Sequence, residues 1–294
     1  MELYGLLGAG ALGLADFAAR FTSRALGPLQ VAAAMLLAGC LIFGVAALGL
    51  GLGFPHGGLQ LGSAVASGGV SALGMMAFYT ALALGQITYV IPLAATYPIW
   101  AVLYGALFQG LAVTPPLAAA CAVTLAGGWL VAAYGEIGRT EERAPVEAAR
   151  EPAGRRLLVV ACALAAGLFM VVSVYLAGPA TAGSSQIGTL AVARGAAAAT
   201  IVPLLLLRPR PLPAGSARWL PVIALQGLLD GVGVFALYAA TAVPEGAFGV
   251  VISSAFGVVT VLLGRTLLRE RVNARQWLGI LLAMGGALSL TALS

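Results

Sequence analysis

The sequence predicts an all-α integral membrane protein with ten transmembrane helices in two inverted-topology five-helix repeats. Three observations predict it. Hydrophobic residues make up 61% of the 294 positions, charged residues only 9%, and the mean hydropathy is +1.02. A soluble domain is nearer about a quarter charged, and this chain has too little polar surface to cover a water-soluble sphere. The apolar residues also fall in continuous runs long enough to span a bilayer as helices, without the alternation a β-barrel needs. Finally, those runs divide five and five about a single long polar stretch.

A spanning helix needs roughly 20 mostly apolar residues. The first five runs are 3–20, 29–52, 62–84, 88–109 and 115–136. The second five are 157–178, 185–207, 218–241, 245–267 and 273–293. Turn-forming residues separate them, including Gly27-Pro28, the GFPHGG stretch at 53–58, Pro115-Pro116 and the RPRPLP stretch at 208–213. Pro92 and Pro98 fall inside the fourth run, where they weaken the helical ladder and free carbonyls.

Residues 137–156 form the polar stretch, and their mixed charge predicts a solvated linker. The expected organisation is a first repeat at 1–136, the linker at 137–156 and a second repeat at 157–294. A constant offset lays Gly68, Gly74, Ala77 and Tyr79 over Gly227, Gly233, Ala236 and Tyr238. The same offset lays Gly127 over Gly286. An odd number of spans per repeat makes the second enter the membrane upside down relative to the first.

Every Arg except Arg194 lies in or beside a loop that follows an odd-numbered span. The positive-inside rule then places the odd-numbered loops in the cytoplasm and both termini outside. The chain contains Arg but no Lys, beside abundant Ala and Gly, a bias expected of a GC-rich bacterial genome. The expected location is the bacterial inner membrane. A net charge of +5 could suggest nucleic acid, but these Arg flank apolar runs, so the bilayer is their partner and no nucleic acid is expected.

Several chemistries are disfavoured. Cys40, Cys121 and Cys162 are dispersed within apolar runs and read as packing residues. The sole His is His56, in a Gly-rich turn, so no His-based metal site is expected. There is no Walker A or other nucleotide loop, and no cofactor is expected. No cleavable signal peptide is expected either, because the first run lacks a basic leader and leads into Asp16 and Arg20.

The segment LLRERVNARQWLGILLAMGGALSL at 267–290 carries an acidic–basic pair at a short turn, then Trp277, Gly279, Gly285 and Gly286. The pair is Glu270-Arg271, and Arg194 lies in the second helix of the second repeat, with Met35 at the equivalent place in the first. With these features the chain resembles the drug/metabolite transporter superfamily, in its ten-helix EamA-like branch. It departs from the family pattern at Gly13-Leu14, where Trp-Gly is usual, and at Arg269-Glu270, where Gly-Glu is usual. The resemblance implies a central cavity surrounded by spans 3, 4, 8 and 9 with 1 and 6. It implies a secondary transporter of small organic metabolites such as amino acids, in the export direction, working by alternating access.

Ionisable groups at mid-membrane depth are costly and are functional candidates by default. Here they are Asp16 in span 1, Arg194 in span 7 and Asp230 in span 8. Arg194 and Asp230 lie in consecutive spans and could pair. Asp16 could pair with Arg20 one turn on; unpaired, it is a candidate for proton coupling. Phe78, Tyr79, Tyr97, Trp100, Tyr238 and Phe256 form the candidate aromatic part of a substrate cavity, suited to planar or apolar substrates or organic cations. Tyr97, Trp100 and Tyr104 share one helical face. Gln86 and Glu245 occupy matched short turns and are candidate gates. Gly127 and Gly286 read as packing or dimer contacts, compatible with a monomer or a homodimer.

Three other functions have weaker sequence support. A transporter or flippase of nucleotide-sugar or lipid-linked cargo would want a larger, more basic cavity than Arg194 alone supplies. A membrane enzyme would need converging ionisable groups or metal ligands, and two isolated Asp with one His argue against it. A non-transporting membrane subunit would have a filled bundle.

Overall fold

The computed structural model describes residues 2–108, 110, 112–134, 153–207, 213–241, 256–267 and 272–293. Among these residues the regular structure is helical. The first half contains α1 (Glu2–Leu26), α2 (Pro28–Gly49), α3 (Gly58–Leu84), α4 (Ile87–Ala94), α5 (Tyr97–Phe108) and α6 (Pro115–Tyr134). The second contains α7 (Ala153–Gly183), α8 (Gln186–Leu207), α9 (Leu220–Thr241), α10 (Phe256–Leu267) and α11 (Ala274–Leu293). A short 3-10 turn at Ser216–Trp219 precedes α9.

Among the described residues, seven stretches are long and apolar enough to cross a membrane: α2, α3, α4 with α5, α6, α7, α8, and 216–239 around α9. The chain is therefore a multi-pass membrane protein. Helices also occupy the other three expected places. Asp16, Arg20 and Arg24 make α1 more polar than the rest, and the described part of α10 is only 12 residues.

Local chemistry sets the boundaries. Gly27 has φ +96 and Pro28 opens α2, so α1 and α2 are joined through a single residue. The fourth expected span is two helices. Pro98 has no N–H to offer the Ala94 carbonyl, and the chain breaks at Ala95 and Thr96. The seventh helix begins earlier than the run from 157 predicted. Arg155 and Arg156 belong to its first turns, donating to the Leu84 carbonyl at 2.7 Å and the Ala133 carbonyl at 2.8 Å. Only 153–156 of the expected linker lie within the described residues, and they are helical.

The interior mixes many small residues with larger ones such as Leu36, Leu82 and Tyr89. Ala19, Ala32, Ala72 and Ala197 are fully buried, whereas Leu41, Leu48, Leu107 and Leu207 are exposed. In a bilayer, large side chains gain little by turning inward, and close helix approach dominates. The major pairings are α3 with α7, α1 with α9, α6 with α11 and α2 with α8. The first two are counterparts when the halves are exchanged; the last two are their own counterparts.

Glycines sit where backbones meet. A Cβ on Gly127 would strike the Ala283 backbone, and one on Gly286 would strike Thr124 of α6. The matched glycines thus pack α6 against α11 within one chain. Gly68 faces the Ala193 carbonyl of α8, and its match Gly227 faces the Met35 carbonyl of α2.

The helix ends sort onto two faces. On one, Arg20 and Arg24 both donate to the Gly85 carbonyl, Arg24 at 3.0 Å, and Asn273 donates to the Tyr134 carbonyl. On the other, Ser185 donates to the Gly53 carbonyl between the α7–α8 and α2–α3 turns.

Gly127→Leu is expected to lower the apparent Tm of the detergent-purified protein by about 5 °C or more, because backbone must move. Gly285→Leu, at an exposed site with no atom within 4 Å of the added Cβ, is expected to leave it unchanged. Equal effects would show that close packing of α6 on α11 is not the cause.

Candidate functional site

A cavity lies among α1, α3, α4, α7, α8, α9 and α10, with about 940 Å³ of space unfilled by protein atoms, part of it open to the outside. Helical spacing builds its walls. Ser67, Ser71, Gly74 and Phe78 recur at three or four residues along α3, and Asp230, Val234 and Tyr238 do so along α9. Leu12 and Asp16 are one turn apart on α1, Met170 and Ser173 come from α7, and Phe256 opens α10.

Charge is concentrated on one side. Arg194 Nη2 on α8 donates to Asp230 Oδ2 on α9, and the two side chains are 5% and 13% exposed. The pairing expected from consecutive spans is present. Two buried charges meet this cost only through each other and further hydrogen bonds. Arg194 Nε is also buried but has no hydrogen-bond partner.

Asp16 lines the same cavity and feels the Asp230 carboxylate. The spacing allowed an Asp16–Arg20 pair, but Arg20 turns to the Gly85 carbonyl. The free carbonyls at the C-terminal end of α3 attract cations, and Arg20 answers that demand. Among the described residues Asp16 has no ion pair.

Polar groups without formal charge complete the wall. Ser67 Oγ donates to the Ser173 carbonyl at 2.7 Å, and the Tyr238 hydroxyl interacts with the Ser67 side chain. Ala94, whose carbonyl lacks its usual partner at Pro98, faces the cavity from α4.

Of the expected cavity residues, the lining contains Asp16, Phe78, Arg194, Asp230, Tyr238 and Phe256. Tyr79, Tyr97 and Trp100 fall outside it. Tyr79 is buried in a polar chain joining four helices. Thr22 Oγ1 donates to Gln226 Oε1 at 3.1 Å, Gln226 Nε2 donates to the Tyr79 hydroxyl, and that hydroxyl donates to Met35 Sδ at 2.8 Å. Tyr97 stacks behind Phe256, ring centroids 6.3 Å apart, with its hydroxyl buried and unpartnered. Trp100 packs into the apolar cluster around Tyr97, and Tyr104 stacks on Tyr175 at 4.1 Å. The shared face of Tyr97, Trp100 and Tyr104 is thus spent on packing α5.

Gln86 precedes α4, with Oε1 buried and unpartnered. Its expected counterpart Glu245 lies outside the described residues. The sequence reading missed Ser67, Ser71, Ser173, Met75 and Met170, and on α8 it named Arg194 but not Leu190 or Ala193. Ser67 and Ser71 carried a signal, two hydroxyls one turn apart in an apolar run. The methionines carried none, since they are ordinary core residues in such a chain.

A multi-pass helical bundle around a charged cavity has the build of a solute-handling membrane protein. Residues 156–292 match the EamA-like transporter family. That family implies a membrane transporter of small solutes and is not an enzyme family. The segment with Glu270, Arg271, Trp277 and the final glycines lies inside the match. A comparison with curated proteins found none that matches. A solved crystal structure of a protein is similar with a TM-score of 0.68 and 22% identity, covering 99% of each chain, which is a likeness of fold.

Arg194→Met alone is expected to destabilise the protein by about 3 kcal/mol, because Asp230 keeps its buried charge without a partner. The double variant Arg194→Met/Asp230→Leu is expected to recover most of that loss in thermal unfolding. Simple additivity of the two single effects would rule out the pair as a coupled unit.

Proposed function

We propose that this chain is a secondary transporter that exports small organic metabolites such as amino acids, by alternating access of two inverted five-helix repeats. The observation that carries this reading is the cavity itself. Its walls come from both halves, and it holds an ion pair that a purely structural bundle has no need to place beside open space.

The repeat organisation, 1–136 and 157–294, is supported by matched contacts. Under the offset that lays Gly68 over Gly227, the contacts Gly127–Ala283 and Gly286–Thr124 are equivalents. So are Gln226 with Tyr79 and Ser67 with Tyr238. The cavity residues depart from that symmetry: Met35 and Ser71 stand where the other half has Arg194 and Asp230. A site at the interface of two repeats, with charge from one of them, suits a rocking mechanism.

Nucleotide-sugar cargo fits less well. Its phosphates would need free cationic groups, and Arg194 is already engaged by Asp230. Asp16 is the proposed proton-coupling group. Asp230 lines the same cavity from α9 and is paired with Arg194, and Tyr79 of α3 lies within electrostatic range of Asp16.

Purified protein in ATP-free proteoliposomes is expected to move labelled substrate down its gradient, at a rate at least tenfold above empty vesicles. An imposed pH gradient should drive uptake in the wild type and not in Asp16→Asn. Absence of flux for every amino acid, amine and drug tested would refute the transporter reading.

The arginine-rich face is proposed to be cytoplasmic, with both termini outside, in a bacterial inner membrane. With native cysteines replaced, a membrane-impermeant maleimide on intact cells should label His56→Cys and spare Ala217→Cys. The reverse pattern would invert the orientation.

A further inference from the structure

Two prolines disturb the hydrogen-bond ladder of α4, and the carbonyls they release meet different fates. Pro92 has no N–H for the Thr88 carbonyl, and Pro98 has none for the Ala94 carbonyl. The protein itself serves the first: Gln276 Nε2 of α11 donates to the Thr88 carbonyl at 3.3 Å. The donors beside the helix break all go elsewhere. The Ala95 N–H bonds to the Ile91 carbonyl at 2.7 Å. The amide and the hydroxyl of Thr96 both serve the Leu93 carbonyl, the hydroxyl at 2.7 Å. The Ile99 N–H bonds to the Thr96 carbonyl at 3.0 Å. Each of these donors passes over Ala94, which lines the cavity.

A second observation comes from α7. Gly167 lines the cavity beside Ala94, and a Cβ on Gly167 would stand 3.0 Å from the Ala94 carbonyl oxygen. Any larger residue at 167 would crowd that oxygen, and glycine leaves its approach open.

We propose that the Ala94 carbonyl is a substrate-binding group, accepting a hydrogen bond from an N–H of the ammonium of a transported amino acid or amine. The inference rests on the transport reading above and adds a selectivity rule to its cavity. A carbonyl enclosed by apolar helices is costly to leave without a donor, and a bound N–H restores what Pro98 removed. The carbonyl also ends α4, where the helix dipole favours a charged donor. It has no formal charge, so it takes the ammonium of a zwitterion without setting a second anion beside the zwitterion's carboxylate. The first half of the chain supplies this acceptor, and the second supplies the Arg194–Asp230 pair. Under the repeat offset Pro98 matches Gly257, which keeps its N–H. Primary, secondary and tertiary ammonium groups each offer an N–H; a quaternary ammonium has the same charge and offers none.

The test uses full-length protein in detergent and three probes: L-phenylalanine, its N,N-dimethyl derivative and its N,N,N-trimethyl derivative. All three share ring, carboxylate and positive charge, and only the last lacks an N–H. Calorimetric titration is expected to show the first two binding within about threefold of each other. The third should bind roughly tenfold or more weakly, the scale of one hydrogen bond from a charged group. Pro98→Ala returns an N–H to the Ala94 carbonyl and should bring all three probes to similar affinity. Pro92→Ala, whose carbonyl is already served by Gln276, should keep the wild-type discrimination. An even loss with each added methyl would overturn the inference by pointing to size alone. So would discrimination that survives in a folded Pro98→Ala, or that is lost equally in Pro92→Ala. If Pro98→Ala does not fold, the wild-type ranking of the three probes decides. Equal proteoliposome flux of all three would sink this inference and leave the transporter standing. Binding of none of them would also sink it, while ATP-free flux of some other solute would still uphold transport.

Discussion

The ion pair between Arg194 and Asp230 is the constraint around which the rest of the molecule is arranged. Two full charges in an apolar bundle are tolerated only if each finds the other at close range. That requirement fixes α8 against α9 at one depth and leaves the pair on the wall of a cavity. It also separates two kinds of polar group. Arg194 and Asp230 pair with each other, whereas Asp16 lines the cavity with no ion pair among the described residues, and Arg194 Nε is buried without a hydrogen-bond partner. Leftover capacity is what a binding site needs, and a filled core would have removed it.

Close backbone approach is the second constraint. The bundle gains little from burying leucine, since lipid is as apolar as its interior. Cohesion comes instead from glycine and alanine at the crossings of α3 with α8, α2 with α9, and α6 with α11. The same residues leave little side-chain volume to fill the centre, so an internal cavity accompanies this kind of packing. Polar links such as Thr22–Gln226–Tyr79–Met35 then tie four helices together beside it. A buried network of that kind is costly to leave half-made, and each of its members other than Met35 is a hydrogen-bonding side chain.

Some of this was legible in the residues alone. Asp16, Arg194 and Asp230 stand out in any apolar run because ionisable groups there are expensive, and all three line the cavity. The aromatic residues were less legible. Tyr79 and Tyr238 are matched in sequence, yet one is enclosed against Met35 and the other faces the cavity. The difference follows from their neighbours on other helices, a thioether in one half and a guanidinium in the other. Tyr97, Trp100 and Tyr104 share a helical face, but periodicity specifies only that they point the same way, not what they meet.

By itself the sequence determined the class of protein and the course of the chain. Composition excludes a water-soluble fold, run length specifies spanning helices, and Gly27-Pro28 and Pro98 specify a turn and a helix break through local sterics. Only the tertiary structure decided which partner each polar group takes. Asp16 had Arg20 at ideal helical spacing, but the carbonyls at the end of α3 compete for that guanidinium. Such competition is between atoms distant in the chain, and distance in space, unlike helical periodicity, is not written in local spacing.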